Sequence, residues 1–254
     1  MKKAIILAAG LGKRLGNLTK DIPKCLLVVE PESRKTLLDF SLSALSDNGI
    51  NEIIIVTGFA KEVLENHISK NWSRKLSIQY IFNDKFSDFN NIYSAYLAKG
   101  FWDDETVLLN SDIIFHPDIF NALKDVIAND TKPKSYLIID DTKKLIAEDM
   151  KVKINEKREI KEINKKLDCS ASLGEYIGIT YLRGVERVKF LESLEKNIKD
   201  KNLDLYYEDA LNCILKDISV FPLSTSGKLW TEVDTEEDYN IAKEMAKKIK
   251  TVPV

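Results

Sequence analysis

Short apolar runs alternate along this chain with longer segments whose apolar residues recur at helical spacing. Runs with the length and composition of buried strands stand at 3–8, 24–29, 52–57, 77–82, 106–110 and 136–140. This alternation is typical of a parallel sheet that is covered on both faces by helices. We therefore expect an α/β fold with a Rossmann-like, mixed but mainly parallel sheet flanked by helices.

Capping signals and periodicity predict the helices between these runs. The first spans 37–48, beginning at a capping box of Thr36 and Asp39 and ending before Gly49. The others are predicted at 61–70, at 90–99, after Pro117, and at 185–199, 206–215 and 235–250, with a strand at 229–233. Short strands at 150–155, 159–164 and 175–180, separated by polar turns, predict a small antiparallel extension.

The chain has 254 residues and contains no repeat, low-complexity tract or linker long enough to divide it. We predict a single domain over 1–254, in which 141–182 forms the β extension. Subtracting 40 acidic from 38 basic side chains gives a net charge of -2. Because no general positive field would attract nucleic acid or an anionic membrane, neither is an expected partner. Any anion that binds must find a local basic site.

The number of cysteines and the apolar residues near the N-terminus give information on where in the cell the protein is located. Cys25, Cys169 and Cys213 are odd in number and widely spaced, which argues against a disulfide framework and predicts a cytoplasmic protein. The apolar run at 4–9 follows two lysines, but it is too short for a secretory signal and is stopped by the glycines and basic residues at 10–14. We expect this run to be the buried first strand.

The first predicted strand leads into the loop LAAGLGKRLG at 7–16. Its glycines allow backbone N–H groups to approach a phosphate, and Lys13 and Arg14 add positive charge. A Walker loop is excluded because its terminal Gly-Lys-Ser/Thr is missing. A dinucleotide-binding fingerprint fits poorly, because the third glycine is displaced to Gly16 and Pro23 leaves too little room for a crossover helix. We expect a long phosphate-binding loop, with a glycine turn and a solvated charge pair as the competing interpretation.

The loop returns toward the sheet at 20–26, where Pro23 fixes the backbone just before Lys24. Lys24 can therefore face a phosphate bound by the glycines, although a single lysine here would more often be solvated. Asp112 directly follows the strand at 106–110, where ligand crevices of open α/β sheets lie. Asp112 alone could be a turn or cap residue, and Asp234 alone could be the acidic start of the last helix.

Taken together, these motifs carry a family resemblance. The loop at 7–15 followed by Pro-Lys-Cys-Leu at 23–26, with Asn-Ser-Asp at 110–112 and Trp-Thr-Glu-Val-Asp at 230–234, resembles the nucleotidyltransferases that activate sugar 1-phosphates and related phosphomonoesters. The resemblance implies the fold of the nucleotide-diphospho-sugar transferases over nearly the whole chain. Within that superfamily, the motifs at 90–94 and 174–178 most resemble bacterial choline-phosphate cytidylyltransferases and their relatives that act on phosphonates.

The resemblance implies a Mg²⁺ site and a set of catalytic cations. Asp112 and Asp234 are the expected metal ligands, and two oxygen ligands completed by phosphates and waters suit Mg²⁺. Lys24, Arg14 and Lys13 are the expected catalytic residues. The expected nucleotide-binding residues are Leu7, Ala8, Ala9, Gly10, Gly12, Asn90, Asn91, Ser94 and Ser111. A helix N-cap explains Asn90 equally well.

The expected acceptor site carries both signs of charge. Lys165 is expected to contact the acceptor's phosphate, although the adjacent Lys166 offers an alternative. Three acids, Glu175, Asp209 and Glu232, lie on segments that line the acceptor pocket of the choline-phosphate enzymes, and the β extension is expected to contribute to it. Such acids would favour an acceptor with a positive group at its far end. Each acid could instead be solvated or paired with a nearby lysine.

The expected function is the transfer of CMP from CTP to a small phosphomonoester or phosphonate, with release of pyrophosphate. The nearest alternative is a sugar-1-phosphate nucleotidyltransferase that uses UTP, dTTP or GTP. A glycosyltransferase of similar fold is less consistent with a triphosphate-binding loop of Lys13, Arg14 and Lys24. A non-catalytic nucleotide sensor would not need Asp112 and Asp234 beside Lys24. The expected partners are therefore a nucleoside triphosphate and a small phosphorylated acceptor, and a homodimer is left open.

Overall fold

The computed structural model describes residues 1–249. The strands in chain order are β1 (Lys3–Ala8), β2 (Val28–Glu30), β3 (Lys35–Thr36), β4 (Glu52–Thr57), β5 (Ser77–Phe82), β6 (Thr106–Asn110), β7 (Ile113–Phe115), β8 (Ser135–Asp140), β9 (Lys151–Ile154), β10 (Ile160–Asn164), β11 (Gly174–Tyr181), β12 (Val220–Ser224) and β13 (Trp230–Glu232). The helices are α1 (Leu37–Asp47), α2 (Lys61–Asn71), α3 (Asn91–Leu97), α4 (Asp118–Asn129), α5 (Gly184–Lys199), α6 (Tyr207–Asn212) and α7 (Glu236–Ala246). Of this part of the chain, no helix is long and apolar enough to cross a membrane.

The central sheet is mixed and has a parallel core, as predicted. Its order is β10-β9-β11-β6-β1-β4-β5, and β8 pairs with both β11 and β12. The pairs β1–β4, β1–β6, β4–β5 and β8–β12 are parallel, whereas β11 runs antiparallel to β6, β8 and β9. The antiparallel extension is β9 and β10, which join the sheet through β11.

Both faces of the central strands β1, β4 and β6 are buried, which explains why these strands are largely apolar, whereas the edge strand β5 is mostly exposed. Along β1, Ala4, Ile6 and Ala8 pack in one hydrophobic cluster, while Ile5 and Leu7 pack in a second cluster on the other face. The first cluster includes side chains of α1, α2 and α4, and the second includes side chains of α3, α5 and α6. The two layers leave the carboxyl ends of the parallel strands free to form a site.

The structure differs from the sequence prediction most clearly at 24–29. The predicted strand there is a short 3-10 turn, Lys24–Leu26, followed by β2, which pairs with β3 and not with the central sheet. Pro23 is extended, and its carbonyl accepts a hydrogen bond from the Leu26 N–H, so the chain turns where a strand was expected.

Helix starts were predicted more closely than helix ends. The capping box of Thr36 and Asp39 is present at the start of α1. The predicted helices at 206–215 and 235–250 are shorter in the structure, ending at Asn212 and Ala246. Residue 250 of the second prediction lies outside the described residues.

Candidate active site

The glycine loop forms the first wall of the site. Residues between β1 and β2 form no α-helix, only the 3-10 segments Lys13–Thr19 and Lys24–Leu26, which confirms the long loop. Gly12 has φ 63°, and a Cβ atom there would lie 3.2 Å from the Lys24 Cβ. The Thr19 hydroxyl donates a 2.9 Å hydrogen bond to the Gly12 carbonyl. The loop is therefore folded against the turn that carries Lys24.

A small antiparallel pair of strands brings the two predicted metal ligands together. Strand β7 pairs with β13, placing Ile113 opposite Glu232, and the Val233 N–H donates a 2.8 Å hydrogen bond to the Asp112 carbonyl. Asp112 precedes β7 and Asp234 follows β13. The pairing thus joins residues from distant parts of the chain at the carboxyl end of β6.

Lys24 lies between the two aspartates. Its Nζ is 2.8 Å from Asp112 Oδ2 and 2.8 Å from Asp234 Oδ1. Arg14 approaches from the glycine loop, with Nη2 2.7 Å from Asp234 Oδ2. Burial would lower the pKa of Lys24, but the two carboxylates raise it above its ordinary value. Lys24 is therefore a fixed positive charge at neutral pH.

The acidic residues of this cluster could hold a divalent cation. Oxygen atoms of Asp112, Glu232 and Asp234 lie within 4.8 Å of one another. Asp112 Oδ1 is buried and has no hydrogen-bonding partner among residues 1–249, so it is free to coordinate. A set of carboxylate oxygens suits Mg²⁺ by its chemistry. Glu232, expected at the acceptor, lies with the predicted metal ligands.

The neighbouring charges move the pKa values of the acids in opposite directions. Desolvation in the cleft and the Asp112 and Asp234 carboxylates raise the pKa of Glu232 above its ordinary value. Burial opposes ionisation of Asp234 as well, but Lys24 and Arg14 hold its pKa below the ordinary value. The two cations therefore keep Asp234 ionised and ready to act as a ligand.

One cavity of about 370 Å³ extends from this cluster. The predicted site residues that line it are Leu7, Ala8, Ala9, Gly10, Gly12, Lys13, Arg14, Lys24, Asn90, Asn91, Ser94, Ser111, Asp112, Lys165, Glu232 and Asp234. These residues come from loops and strand ends spread over most of the chain. The structure therefore brings the predicted nucleotide, metal and phosphate residues to one place.

Two predicted acceptor residues do not line the cavity. Glu175 is buried behind it, where its carboxylate lies 2.5 Å from Lys143 Nζ, while the next residue of β11, Tyr176, lines the cavity. Alternation along a strand explains why only one of these neighbours faces the site. Asp209 accepts a hydrogen bond from the Tyr206 N–H in the capping box of α6. Both acids have structural partners where acceptor contacts were expected.

Polar residues that the sequence prediction did not assign also line the cavity. Asn83 Nδ2 donates a 3.0 Å hydrogen bond to Ser94 Oγ, and the amide Oδ1 of Asn83 accepts one from the Lys85 N–H. Asn110 Oδ1 accepts a 3.1 Å hydrogen bond from the Tyr207 hydroxyl. Both asparagines directly follow or end a parallel strand, which is the signal that could have identified them.

The loop before β9 supplies another unpredicted wall. Glu148 and Met150 line the cavity from this loop. Lys151 is fully buried, and its Nζ donates to the carbonyls of Ile146, Ala147 and Asp149. A lysine in a short strand gives no sequence signal of such a role, because most lysines are solvated.

Comparisons with known proteins agree with this geometry. The family model described as nucleotidyl transferase matches residues 3–166. The choline-phosphate cytidylyltransferase of Streptococcus pneumoniae is 29% identical, over 96% of this chain and 98% of its own. The CTP:phosphoglutamine cytidylyltransferase of Campylobacter jejuni is 27% identical, over 94% and 98%. The solved structure of the Streptococcus pneumoniae CTP:phosphocholine cytidylyltransferase superimposes with a TM-score of 0.73 at 25% identity, covering 96% and 98% of the chains. On the strength of the matched motifs and the shared fold, the chain belongs to the nucleotidyl transferase family of enzymes.

Proposed function

We propose that this enzyme transfers a cytidylyl group from CTP to a small phosphomonoester or phosphonate and releases pyrophosphate. The observation that carries the proposal is the cluster of Lys24, Asp112 and Asp234 beside the glycine loop, in one cavity with Lys165. Relatives named as cytidylyltransferases match almost the full length of the chain. Their names support CTP over UTP, dTTP or GTP as the nucleotide.

The chemistry needs positioning and charge neutralisation. An oxygen of the acceptor's phosphate or phosphonate attacks the α-phosphorus of CTP, and the bond from that phosphorus to the bridging oxygen of the β-phosphate breaks. Transfers of this kind need no protein nucleophile. Lys24 is proposed to neutralise the α-phosphate and the incoming phosphate, while Lys13 and Arg14 hold the triphosphate with the backbone N–H groups of Gly10 and Gly12.

Asp112 and Asp234 are the proposed ligands of Mg²⁺, with Glu232 within reach of the same ion. The unpartnered Asp112 Oδ1 supports this assignment, because a buried carboxylate oxygen is otherwise costly to leave unpaired. When bound, the metal neutralises charge on the phosphates and orients them. Lys24 contacts both carboxylates, so it lies next to the place where those phosphates would bind.

The base and the acceptor are proposed to bind at different walls. The hydrogen-bonded side chains of Asn83 and Ser94 offer the cytosine edge donor and acceptor groups. Asn90 caps α3, and its Nδ2 donates to the Asp204 carbonyl, so its side chain has a structural role. Lys165 is proposed to bind the acceptor's phosphate. Its charge lowers the pKa of Asp234, as expected for a lysine near the metal-binding acids.

A pyrophosphate-release assay tests the proposal directly. Each of CTP, UTP, dTTP and GTP is combined with phosphocholine, phosphoethanolamine, 2-aminoethylphosphonate, inositol 1-phosphate and glucose 1-phosphate, with and without Mg²⁺. We expect kcat/KM for CTP with an aliphatic phosphoester or phosphonate to exceed the other combinations by about 10-fold or more. A preference for glucose 1-phosphate with UTP or dTTP would assign the enzyme to the sugar branch. Nucleotide binding without pyrophosphate release would contradict the enzymatic proposal.

A further inference from the structure

One wall of the cavity contains a buried carboxyl group that the proposed reaction does not use. Glu208 lies in the first turn of α6, is 4% exposed and lines the cavity. Its Oε2 atom is buried and has no hydrogen-bonding partner among the residues that the structure describes. Buried carboxylates of folded proteins are normally paired, because an unpaired one loses its hydration without compensation. Other buried atoms without a partner, such as Ser41 Oγ and Trp102 Nε1, belong to residues that do not line the cavity, whereas Glu208 borders it and a bound ligand can reach its carboxyl group.

Polar side chains contact the Glu208 carboxyl group, and no lysine or arginine within residues 1–249 forms an ion pair with it. Asn91 of α3 and Tyr207 of α6 interact with its carboxyl group, and Tyr176 of β11 donates to or accepts from the Tyr207 hydroxyl at 2.8 Å. Burial raises the pKa of Glu208 to about 7, and the negative charge of Asp209 contributes in the same direction. A substantial fraction of Glu208 is therefore ionised near neutral pH, and a bound cation would complete the ionisation.

A second buried glutamate, Glu175, has a structural role and serves as a comparison for Glu208. Glu175 also has its pKa raised to about 7 by burial, with a contribution from Asp149. Its carboxylate, however, lies 2.5 Å from Lys143 Nζ, and Lys143 also lies 3.1 Å from Asp149. Glu175 is thus satisfied within the protein and does not line the cavity. Glu208 has equal burial without such a partner, and it borders the space where the acceptor would lie.

Lys165, Tyr206 and Glu208 line the same cavity. Lys165 Nζ lies 5.7 Å from the centre of the Tyr206 ring, and Tyr206 and Glu208 are two residues apart at the start of α6. An acceptor whose phosphate is held by Lys165 would therefore extend past the ring of Tyr206 toward the carboxyl group.

We propose that Glu208 binds an N–H-bearing ammonium group at the far end of the acceptor. The inference rests on the proposed function and narrows its substrate class to phosphomonoesters or phosphonates that carry a protonated primary or secondary amine. Such a group supplies both the charge and the hydrogen bond that Oε2 lacks. A quaternary ammonium supplies the charge alone, and an alkyl group supplies neither.

The kinetic test compares acceptors that differ only at that end. For the wild-type protein with CTP, we expect kcat/KM for phosphoethanolamine to exceed that for ethyl phosphate by about 10-fold to 100-fold, and to exceed that for phosphocholine. Glu208→Gln should bring the ratio of phosphoethanolamine to ethyl phosphate close to one, while KM for CTP changes by less than about twofold. A wild-type preference for phosphocholine, or a ratio that survives Glu208→Gln, would overturn the proposal.

A pH profile separates recognition of charge from a packing role. The ratio for these two acceptors should rise as pH increases through about 7, because the ionised carboxylate binds the ammonium. Because its ammonium group makes the phosphate of phosphoethanolamine more acidic than that of ethyl phosphate, each kcat/KM is first corrected for the fraction of dianionic acceptor at that pH. The pH dependence should vanish in Glu208→Gln. Asp209→Asn is the matched control, because this adjacent carboxylate caps α6 outside the cavity. It should lower the Tm and keep the ratio measured at high pH, while the pH at which the ratio rises moves downward, because the Asp209 charge helps to raise the pKa of Glu208.

Calorimetric titration distinguishes failure of this inference from failure of the proposed function. Phosphoethanolamine and ethyl phosphate are titrated into the wild-type protein and into Glu208→Gln, with and without CMP. One outcome is that CTP is not a substrate, while the wild-type protein binds phosphoethanolamine more tightly than ethyl phosphate and Glu208→Gln binds both equally. The inference then stands and the proposed reaction fails. CTP turnover without discrimination in kinetics or titration overturns the inference alone, as does the absence of phosphoethanolamine binding.

Discussion

The two ends of the cavity differ in how their charged side chains are paired. At the phosphate end, Lys24 contacts both Asp112 and Asp234, and Arg14 contacts Asp234. At the acceptor end, Glu208 is more deeply buried and forms no ion pair with any residue of 1–249. Each end keeps one buried carboxylate oxygen without a hydrogen-bonding partner among these residues, Asp112 Oδ1 and Glu208 Oε2. The charges at the phosphate end are therefore paired within the protein, whereas on our proposal the charge of Glu208 is paired only when a ligand supplies the opposite charge. On these proposals, residues of the phosphate end carry out the transfer reaction and Glu208 selects the acceptor.

Replacing Lys24 should have the largest effect and remove the arrangement at the phosphate end. One charge at about 4 Å and an effective dielectric of about 20 contributes roughly 4 kcal/mol as an upper guide, so Lys24→Ala should lower kcat by about 100-fold to 1,000-fold. Lys228→Ala is a suitable control, because Lys228 is exposed and pairs with Asp118 away from the cavity. Turnover of Lys24→Ala within about threefold of wild type, measured by pyrophosphate release, would refute its role.

The two aspartates should act as one unit. Asp112→Asn and Asp234→Asn each replace an anionic oxygen with a neutral one, and each should lower activity at limiting Mg²⁺ by about 10-fold to 100-fold. The double variant should lose little beyond either single variant, because groups that act through one metal are not additive. The measurement is a Mg²⁺ titration of initial rate, with Asp118→Asn as the control. Unchanged titration curves for both single variants would locate the metal elsewhere.

Glu208 and the paired acid Asp39 should change the free energy of unfolding in opposite directions as the pH rises. Burial opposes ionisation of Asp39, but bonds from His67, Trp72 and Thr36 hold its pKa below the ordinary value. Its contribution is therefore present above the unfolded pKa and is lost as pH falls through the folded one. The pKa of Glu208 is 4.5 in its ordinary state and about 7 in the folded protein. The folded protein therefore loses stability as the pH rises from 4.5 through 7, because the unfolded chain gives up this proton first.

Chemical denaturation of two variants checks these signs. Glu208→Gln should raise the free energy of unfolding at pH 8 by up to about 3 kcal/mol and change it little at pH 5. Asp39→Asn should lower it at pH 8 by about 1–3 kcal/mol, because it disturbs a buried hydrogen-bonded group. A loss of stability in Glu208→Gln at pH 8 would show that the carboxylate is structural and that the comparison of the two ends is wrong.

The smallest effect is expected from Gly12→Ala, which crowds the phosphate end without removing a charge. Gly12 has φ 63°, and the added Cβ would lie 3.2 Å from the Lys24 Cβ. The left-handed backbone alone costs about 1–2 kcal/mol for a residue with a side chain. Gly49→Ala is the matched control, since Gly49 has φ 75° but open space around it. Both should lower the Tm, and Gly12→Ala alone should raise KM for CTP.

The sequence indicated which residues lie together around Lys24, because these residues follow strand ends and fall in compact motifs. Their roles stay predictions. The end of a predicted strand indicated the position of Asp112, and Pro23 indicated that of Lys24. The fold brings the two side chains into contact. Prediction of the acceptor end depends on which of two adjacent residues in a short strand or helix faces the cavity. Strand alternation separates Glu175 from Tyr176, and the start of α6 separates Asp209 from Glu208. A shift of one residue cannot be resolved from periodicity in segments this short.

The prediction of a strand at 24–29 was wrong for a related reason. Apolar residues there pack in the interior, with Cys25 and Leu26 buried, but the backbone turns because Pro23 starts a 3-10 segment. A short apolar run reports burial and does not specify the backbone conformation. The same limitation applies to Lys151, whose buried ammonium depends on carbonyl groups that come together only in the folded chain.

The pairing of β7 with β13 has a consequence for how the enzyme is made. Lys24 and Asp234 are 210 positions apart, and Asp234 follows one of the last strands to emerge during synthesis. A ribosome-bound chain that has folded β1, β4 and β6 already presents the glycine loop, Lys24 and Asp112, but it lacks half of the carboxylates that face Lys24. Domains begin to fold while translation continues at roughly 5–20 residues per second. Nascent chains that stop before β13 should therefore bind phosphates at most weakly and remain inactive, so activity requires that β13 has left the ribosome and paired with β7.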